Sequence, residues 1–155
     1  MIDTPLVMQT KAQPAAVIHL RIPRPEMMSA FGPAVEEILT ILRAEGVEPM
    51  GSAFAHHLAM SPDTFDFELG FQIESPITNA GRVKMSELPA RARVAHTVYR
   101  GPYEGLPAAW GEFDAWMKAQ GLKQGDDLWE IYAYGPHSNP DPATWRTELY
   151  RPLVD

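Results

Sequence analysis

Acidic residues alternate with tyrosines in two predicted strands near the end of the chain. Glu130 stands two residues before Tyr132, and Glu148 stands two residues before Tyr150. The faces of aromatic rings attract positive charge, and a carboxylate adds a specific partner for it. If water is excluded, a single Glu–cation pair contributes far more than the same pair at the surface. The chemistry that these residues predict is therefore the binding of an organic cation.

Strand alternation predicts which of these side chains share a face. In the strand predicted at 128–134, the more apolar alternate positions are expected to pack under the helices, which turns Glu130 and Tyr132 the other way. In the strand predicted at 145–153, Glu148 and Tyr150 are also expected to point away from the helices. The residues expected to face the helices are Trp129, Ile131, Ala133, Trp145, Leu149 and Leu153.

The first half of the chain contains a strand with a cleaner alternation, predicted at 65–73. Its odd positions are apolar and should pack under a helix. Its even positions are polar apart from Gly70, and Glu68 lies among them. Alternating polar residues on a strand are often only solvated, so Glu68 is a candidate ligand residue on pattern alone.

Two halves with the same order of elements position these residues. Each half predicts a strand, a helix ended by a glycine (Gly46 or Gly121), and two further strands. The sequence therefore predicts an α+β fold in one domain, 1–155, built as a tandem duplication of a β-α-β-β unit with pseudo-repeats at about 15–75 and 90–154. We expect antiparallel sheets with two long helices on one side and a central ligand groove, with Glu68 and Glu148 in equivalent positions. The predicted helices are 25–45 and 103–120, and the predicted strands are 15–22, 52–60, 65–73, 83–88, 91–99, 128–134 and 145–153, with a loop at 135–142.

Composition excludes several classes of function. The chain of 155 residues carries a formal net charge of −7 and no cysteine. It therefore lacks the basic surface that direct nucleic-acid binding requires, as well as disulfides and thiolate metal sites. Neither a signal peptide nor a membrane span is visible, which favours a cytoplasmic location. His56 and His57 are adjacent on a strand and point to opposite faces, so they cannot chelate one metal ion together and no metal is expected. The sequence has no Gly-rich phosphate loop, and no cofactor is expected.

Several stretches resemble the GyrI-like small-molecule-binding domain, also called the AraC-type effector-binding domain. The resemblance extends over essentially the whole chain and is strongest from Leu88 onward, while Phe67–Phe71 fits more loosely. It depends on the order of the pieces, because no piece is a sharp motif by itself. The pieces are Leu88-Pro89-Ala90, Val94 to Tyr103, Trp129-Glu130-Ile131-Tyr132 and Thr147 to Leu153.

The resemblance implies a duplicated fold with a ligand groove and assigns a role to each candidate residue. The Glu of the family's Glu-x-Tyr strand lies at the pocket floor, and the matching residue here is Glu130. Aromatic residues line the family's pocket, and Glu148 matches as a second carboxylate. The positions that match the aromatic wall are Tyr103, Tyr132 and Tyr150, with Trp110 as a further candidate.

Three functions stay open at this point. The first is a free-standing receptor for small amphipathic cations. The second is a hydrolase of cyclopropane-bearing or other strained electrophiles, in which Glu130 would activate water and Tyr132 would assist the leaving group. The third is a modulator of a topoisomerase such as gyrase, through a protein–protein contact. The chain contains no basic helix-turn-helix segment, so we do not expect it to be a complete transcription regulator.

Overall fold

The computed structural model describes residues 2–78, 80–134 and 140–154. The chain divides into two compact units. The central unit comprises Lys11–Ala90, and the terminal unit combines Met1–Thr10 with Arg91–Asp155. In the described part of the chain, nine strands and two helices follow one another. They are β1 (Leu6–Thr10), β2 (Gln13–Pro23), α1 (Met27–Glu45), β3 (Pro49–Met60), β4 (Thr64–Ile73), β5 (Val83–Leu88), β6 (Arg91–Arg100), α2 (Leu106–Ala119), β7 (Lys123–Gln124), β8 (Leu128–Tyr134) and β9 (Arg146–Val154).

The sheet of the central unit has the strand order β5-β2-β4-β3, and all three pairings are antiparallel. Helix α1 packs against β2 and β4. Phe67, Leu69 and Ile73 are fully excluded from solvent, whereas Asp66 and Glu68 keep partial exposure. The predicted apolar face of β4 is thereby confirmed.

The ends of α1 follow from local sequence. A short 3-10 turn, Arg24–Glu26, precedes the helix, and Pro25 suits it because a first turn needs no N–H donor at that position. Gly46 ends the helix with a φ of 70°, a left-handed conformation that costs glycine nothing. The predicted start and end of this helix are confirmed to within about two residues.

The sheet of the terminal unit has the strand order β1-β6-β9-β8, again with antiparallel pairings. The short strand β7 pairs with the far end of β9. Helix α2 packs on this sheet through one buried stripe. The buried core comprises Ala95, Tyr99, Ala109, Phe113, Met117 and Leu149.

The entry into α2 is fixed by Tyr99 and two glycines. The Tyr99 hydroxyl donates a hydrogen bond to the Pro102 carbonyl at 2.8 Å. A Cβ atom at Gly105 would collide with that hydroxyl, and Gly101 has a φ of 134°. Both positions therefore require glycine. This corner sets where Tyr103 and the first turns of α2 lie.

Most of the predicted elements are present, and the α+β class with antiparallel pairing is confirmed. Two strands were missed, β1 and β7. A strand of two residues such as β7 has no periodicity to detect, and β1 has no clean alternation. Of the loop predicted at 135–142, residues 135–139 lie outside the described part of the chain.

Candidate functional site

Glu130 forms the centre of a polar cluster inside the terminal unit. The residue is only 8% exposed. Its Oε2 accepts a hydrogen bond from the indole Nε1 of Trp110 at 2.6 Å, and its Oε1 accepts one from the Tyr132 hydroxyl at 2.8 Å. A strand and a helix therefore each supply one neutral donor to a buried carboxylate.

The register of β8 against β9 places Glu130 on the face covered by α2. Glu130 lies opposite Leu149, which belongs to the α2 core. Residues opposite one another on antiparallel strands point to the same face. The bond from Trp110, a residue of α2, agrees with this placement.

The predicted facing of β8 was therefore wrong. Trp129 and Ile131 were expected under the helices, but Trp129 stacks on Tyr150, with ring centroids 5.4 Å apart, on the opposite face. Both alternate sets of β8 contain large side chains, so hydrophobicity alone did not decide between the faces. The donors Trp110 and Tyr132 permit the carboxylate to lie buried on the face that α2 covers.

Burial dominates the electrostatics of the cluster. It raises the pKa of Glu130, and the hydrogen bonds from Trp110 and Tyr132 oppose this rise only in part. The pKa of Tyr132 is raised well above its usual value, by burial first and then by the Glu130 charge. Burial and the same charge also raise the pKa of Tyr103. Within the described part of the chain, no cationic side chain contributes to the pKa shift of Glu130.

Aromatic rings surround the carboxylate. Tyr103 packs edge-on against Tyr132, with centroids 5.7 Å apart, and its ring lies 4.9 Å from that of Trp145. Trp110 continues this surface to Phe113 in the α2 core, at 5.6 Å. The structure thus brings together the predicted residues Glu130, Tyr132, Tyr103 and Trp110.

Trp145 is a member of this cluster that the sequence did not assign to the site. It was expected to point inward from the last strand, but no role was given to it. Trp145 follows a 3-10 turn, Pro142–Thr144, and its carbonyl accepts a hydrogen bond from the Gly101 N–H at 3.0 Å. That bond holds it beside the corner that carries Tyr103. A tryptophan at the first position of the strand predicted at 145–153 was the signal that the sequence offered.

Glu148 and Tyr150 lie on the other face of the same sheet. Glu148 is opposite Ile131, and the Tyr150 hydroxyl donates to its Oε1 at 2.8 Å. The ring of Tyr150 stacks on His96, with centroids 4.3 Å apart. These side chains do point away from α2, as predicted. The expectation that they share one face with Glu130 was wrong. Glu148 lies opposite Ile131, the neighbour of Glu130, and adjacent residues of a strand point to opposite faces.

Glu68 belongs to the central unit. It accepts a hydrogen bond from the Ser86 hydroxyl at 2.7 Å and lies opposite His19 on one side and His56 on the other. His57 lies opposite Phe67, so the two adjacent histidines do occupy opposite faces. Among the residues that the structure describes, no group of three or more His, Asp or Glu side chains could hold a metal ion.

The central unit also has a surface pocket of about 360 Å³ at the end of α1, which contains none of the predicted site residues. None of the helices in the described ranges is long and apolar enough to cross a membrane.

Solved structures with the same fold include three informative ones. The C-terminal domain of EcmrR has a TM-score of 0.83 at 17% identity, covering 98% of both chains. EcmrR in its DNA complex has a TM-score of 0.82 at 18% identity, and there the chain covers 57% of that protein's length. SAV2435 bound to tetraphenylphosphonium has a TM-score of 0.64 at 10% identity, covering 98% of this chain and 94% of that one. Identities this low show a common fold alone.

No curated protein matches the chain in sequence. A family model does match, and it covers residues 5–154. With nearly the whole chain matched, the protein belongs to the GyrI-like small-molecule-binding domain family.

Proposed function

We propose that the chain binds small amphipathic organic cations, and that Glu130 pairs with their charge inside the terminal unit. The observation that carries this proposal is a buried carboxylate held by two neutral donors, Trp110 and Tyr132. Burying a carboxylate costs free energy that neutral hydrogen bonds recover only in part, and a cation recovers more of it. A bound cation would therefore offset the desolvation cost of the buried Glu130 carboxylate.

The rings around Glu130 suit the apolar part of such a ligand. Trp110, Tyr132 and Tyr103 offer aromatic surface within one cluster. A cation over such a ring gains about 0.5–2 kcal/mol, and more as water is removed. The formal net charge of −7 also favours the approach of cations over anions.

Access to the carboxylate requires a local movement. Both oxygens of Glu130 are occupied, and the indole of Trp110 covers one of them. Because Glu130 is only 8% exposed, a ligand that pairs directly with it must displace the Trp110 indole, the Tyr132 hydroxyl or another side chain that covers the carboxylate. The free energy of that displacement would be subtracted from the observed affinity.

One relative supports the ligand class. SAV2435, which shares the fold, has been solved bound to tetraphenylphosphonium, a hydrophobic cation. EcmrR in its DNA complex is a longer protein, of which this chain covers 57%, so we do not extend DNA binding to this chain.

The layout of the two units supports a duplication. In the central unit, β2 leads through α1 to β3, and β4 lies between β2 and β3 in the sheet. In the terminal unit, β6 leads through α2 to β8, and β9 lies between β6 and β8. Each sheet has one further edge strand, β5 beside β2 and β1 beside β6. We therefore propose that the two units arose by duplication and that the terminal unit is the copy that holds the ligand site.

The test is a titration with tetraphenylphosphonium, followed by tryptophan fluorescence and calorimetry. Glu130→Gln keeps the size of the side chain and one of its two acceptor oxygens but removes the charge. We expect it to weaken binding at least 10-fold. Glu148→Gln, on the opposite face, is the matched control and should change the affinity less than twofold. Equal affinities for the wild type and Glu130→Gln would overturn the proposal.

Hydrolysis of a strained electrophile is a second candidate. The raised pKa of Glu130 and the adjacent Tyr132 hydroxyl are what a general base with an assisting acid requires. Incubation with a cyclopropane-bearing alkylator, followed by mass spectrometry for the addition of one water, tests it. Turnover that disappears in Glu130→Gln would favour the enzyme. Saturable binding of tetraphenylphosphonium without turnover would favour the receptor.

A further inference from the structure

Thr147 places a buried hydroxyl on the same side of the sheet as Glu130. The residue is fully excluded from solvent, and no described group forms a hydrogen bond with its Oγ1. A buried polar atom without a partner costs about 1–3 kcal/mol. Valine has the same shape without this cost, so the hydroxyl calls for an explanation.

The strand register brings this hydroxyl beside the carboxylate. Leu149 lies opposite Glu130, and Thr147 is two residues earlier on β9, on the same face. Diagonal neighbours of this kind have Cα atoms about 7–8 Å apart. Thr147 also lies opposite Tyr99, which belongs to the α2 core.

The aromatic cluster continues past the hydroxyl. Trp145 precedes Thr147 by two residues and packs its ring against Tyr103. Thr147 thus lies between the Trp145 ring and the strand position that faces Glu130. One bound head group could reach both the hydroxyl and the carboxylate.

From this geometry we infer that Thr147 determines ligand specificity, because its hydroxyl accepts a hydrogen bond from an N–H group of a bound protonated amine. The inference rests on the proposed pairing of the same cation with Glu130. An ammonium carries up to three N–H donors, so one can bind the carboxylate while another binds Thr147. Among organic cations, the site should therefore prefer amphipathic amines that keep at least one N–H.

The test uses a matched pair of fluorescent probes, 1-pyrenemethylammonium and its N,N,N-trimethyl derivative. Both carry one positive charge and the same ring system, but only the first has N–H donors. The wild type should bind the amine more tightly. Thr147→Val should weaken the amine about 5- to 10-fold and change the trimethyl probe less than twofold. Thr147→Ser, which keeps the hydroxyl, should restore most of the preference.

Glu130→Gln separates this inference from the proposed function. It should weaken both probes, because both need the charge. If it does so while Thr147→Val changes neither probe, or weakens both equally, the role of Thr147 is wrong and the proposed function stands. If the wild type binds tetraphenylphosphonium but neither probe, the role of Thr147 is wrong and the proposed function stands. If it binds none of the three compounds, both are overturned. The thermal midpoint of Thr147→Val should equal or exceed that of the wild type, which would exclude misfolding as the cause of weaker binding.

Discussion

The two units bury different residues at matching places. Gly46 and Gly121, which end the two helices, lie 75 positions apart. The same offset aligns Glu130 with Ala55, and each of these lies opposite a fully buried leucine on the neighbouring strand, Leu149 or Leu69. The central unit thus has a small apolar side chain where the terminal unit has a carboxylate.

The neighbours of that position differ in the same sense. The offset aligns Trp110 with Val35 and Tyr132 with His57. Neither Val35 nor Ala55 offers a polar side chain, and His57 packs against Phe67 with centroids 5.2 Å apart. The central unit has apolar side chains at two of these three positions and one buried histidine at the third, whereas the terminal unit holds a connected polar cluster around a carboxylate. Such a local departure from apolar packing is typical of a functional site.

The largest effect is expected when a carboxylate is placed in the central unit at the position aligned with Glu130. Ala55 is fully buried, so Ala55→Glu should destabilise the protein by about 3–5 kcal/mol, because the new carboxylate has no arranged donors. Urea unfolding measures the change in the free energy of unfolding. Ala55→Gln adds almost the same volume without a charge and should be less damaging at pH 8.

The two variants should converge on acidification, because a protonated Glu resembles Gln. If they are equally stable at pH 8, the charge is tolerated at position 55. The contrast between the units would then be one of side-chain size only.

A second prediction concerns His57, the counterpart of Tyr132. Burial, with smaller contributions from His56 and Arg24, lowers the pKa of His57 to about 4. Because the folded pKa lies below the unfolded value of 6.5, its contribution to stability is present above pH 6.5 and is lost as the pH falls towards 4. His57→Phe should remove about 2 kcal/mol of the loss in unfolding free energy between pH 7 and pH 4.5. Urea unfolding at the two pH values measures this loss, and an equal loss in the wild type and the variant would contradict the prediction.

A third prediction removes the donor Trp110, which the offset aligns with Val35 of the central unit. Trp110→Phe should cost about 2 kcal/mol, because it leaves one oxygen of Glu130 without its partner. The Trp110 bond lowers the pKa of Glu130, so that pKa rises further in the variant. A raised carboxyl pKa means that stability is lost as the pH rises, and the variant should therefore suffer more at pH 8 than at pH 5.

Trp116→Phe is the control for this change. Trp116 lies on the same helix and packs against the same core, without a bond to Glu130. If the two variants show the same pH dependence of urea unfolding, the Trp110–Glu130 bond contributes nothing specific.

The order of the elements could be predicted because helix periodicity and glycine ends are local signals. The face of Glu130 could not be predicted from its own strand, since strand parity depends on pairing, and a shift of one residue reverses it. The Gly46–Gly121 offset aligns Glu130 with Ala55, but the faces of the strand that carries Ala55 were not predicted. Instead, Glu68 was matched with Glu148, and this match predicted the facing of the last strand only.

Contacts between distant parts of the chain could not be derived from residue spacing, and Trp110 was a candidate only through the family resemblance. The donor Trp110 is 20 residues away from Glu130, and Trp145 reaches the cluster through a backbone bond to Gly101. These contacts depend on how α2 and its corner pack on the sheet. No spacing within one strand reveals them.

The smallest effect concerns the two tyrosines that donate to a glutamate two residues earlier. Glu148 keeps 31% of its side-chain surface exposed, so water can replace a lost donor there. Tyr150→Phe preserves the stack on His96 and should cost about 0.5 kcal/mol. Tyr132→Phe removes the same kind of bond, also 2.8 Å long, from buried Glu130 and should cost about 1–3 kcal/mol. Equal losses in urea unfolding would mean that burial does not distinguish the two carboxylates, because the hydrogen bonds themselves are alike.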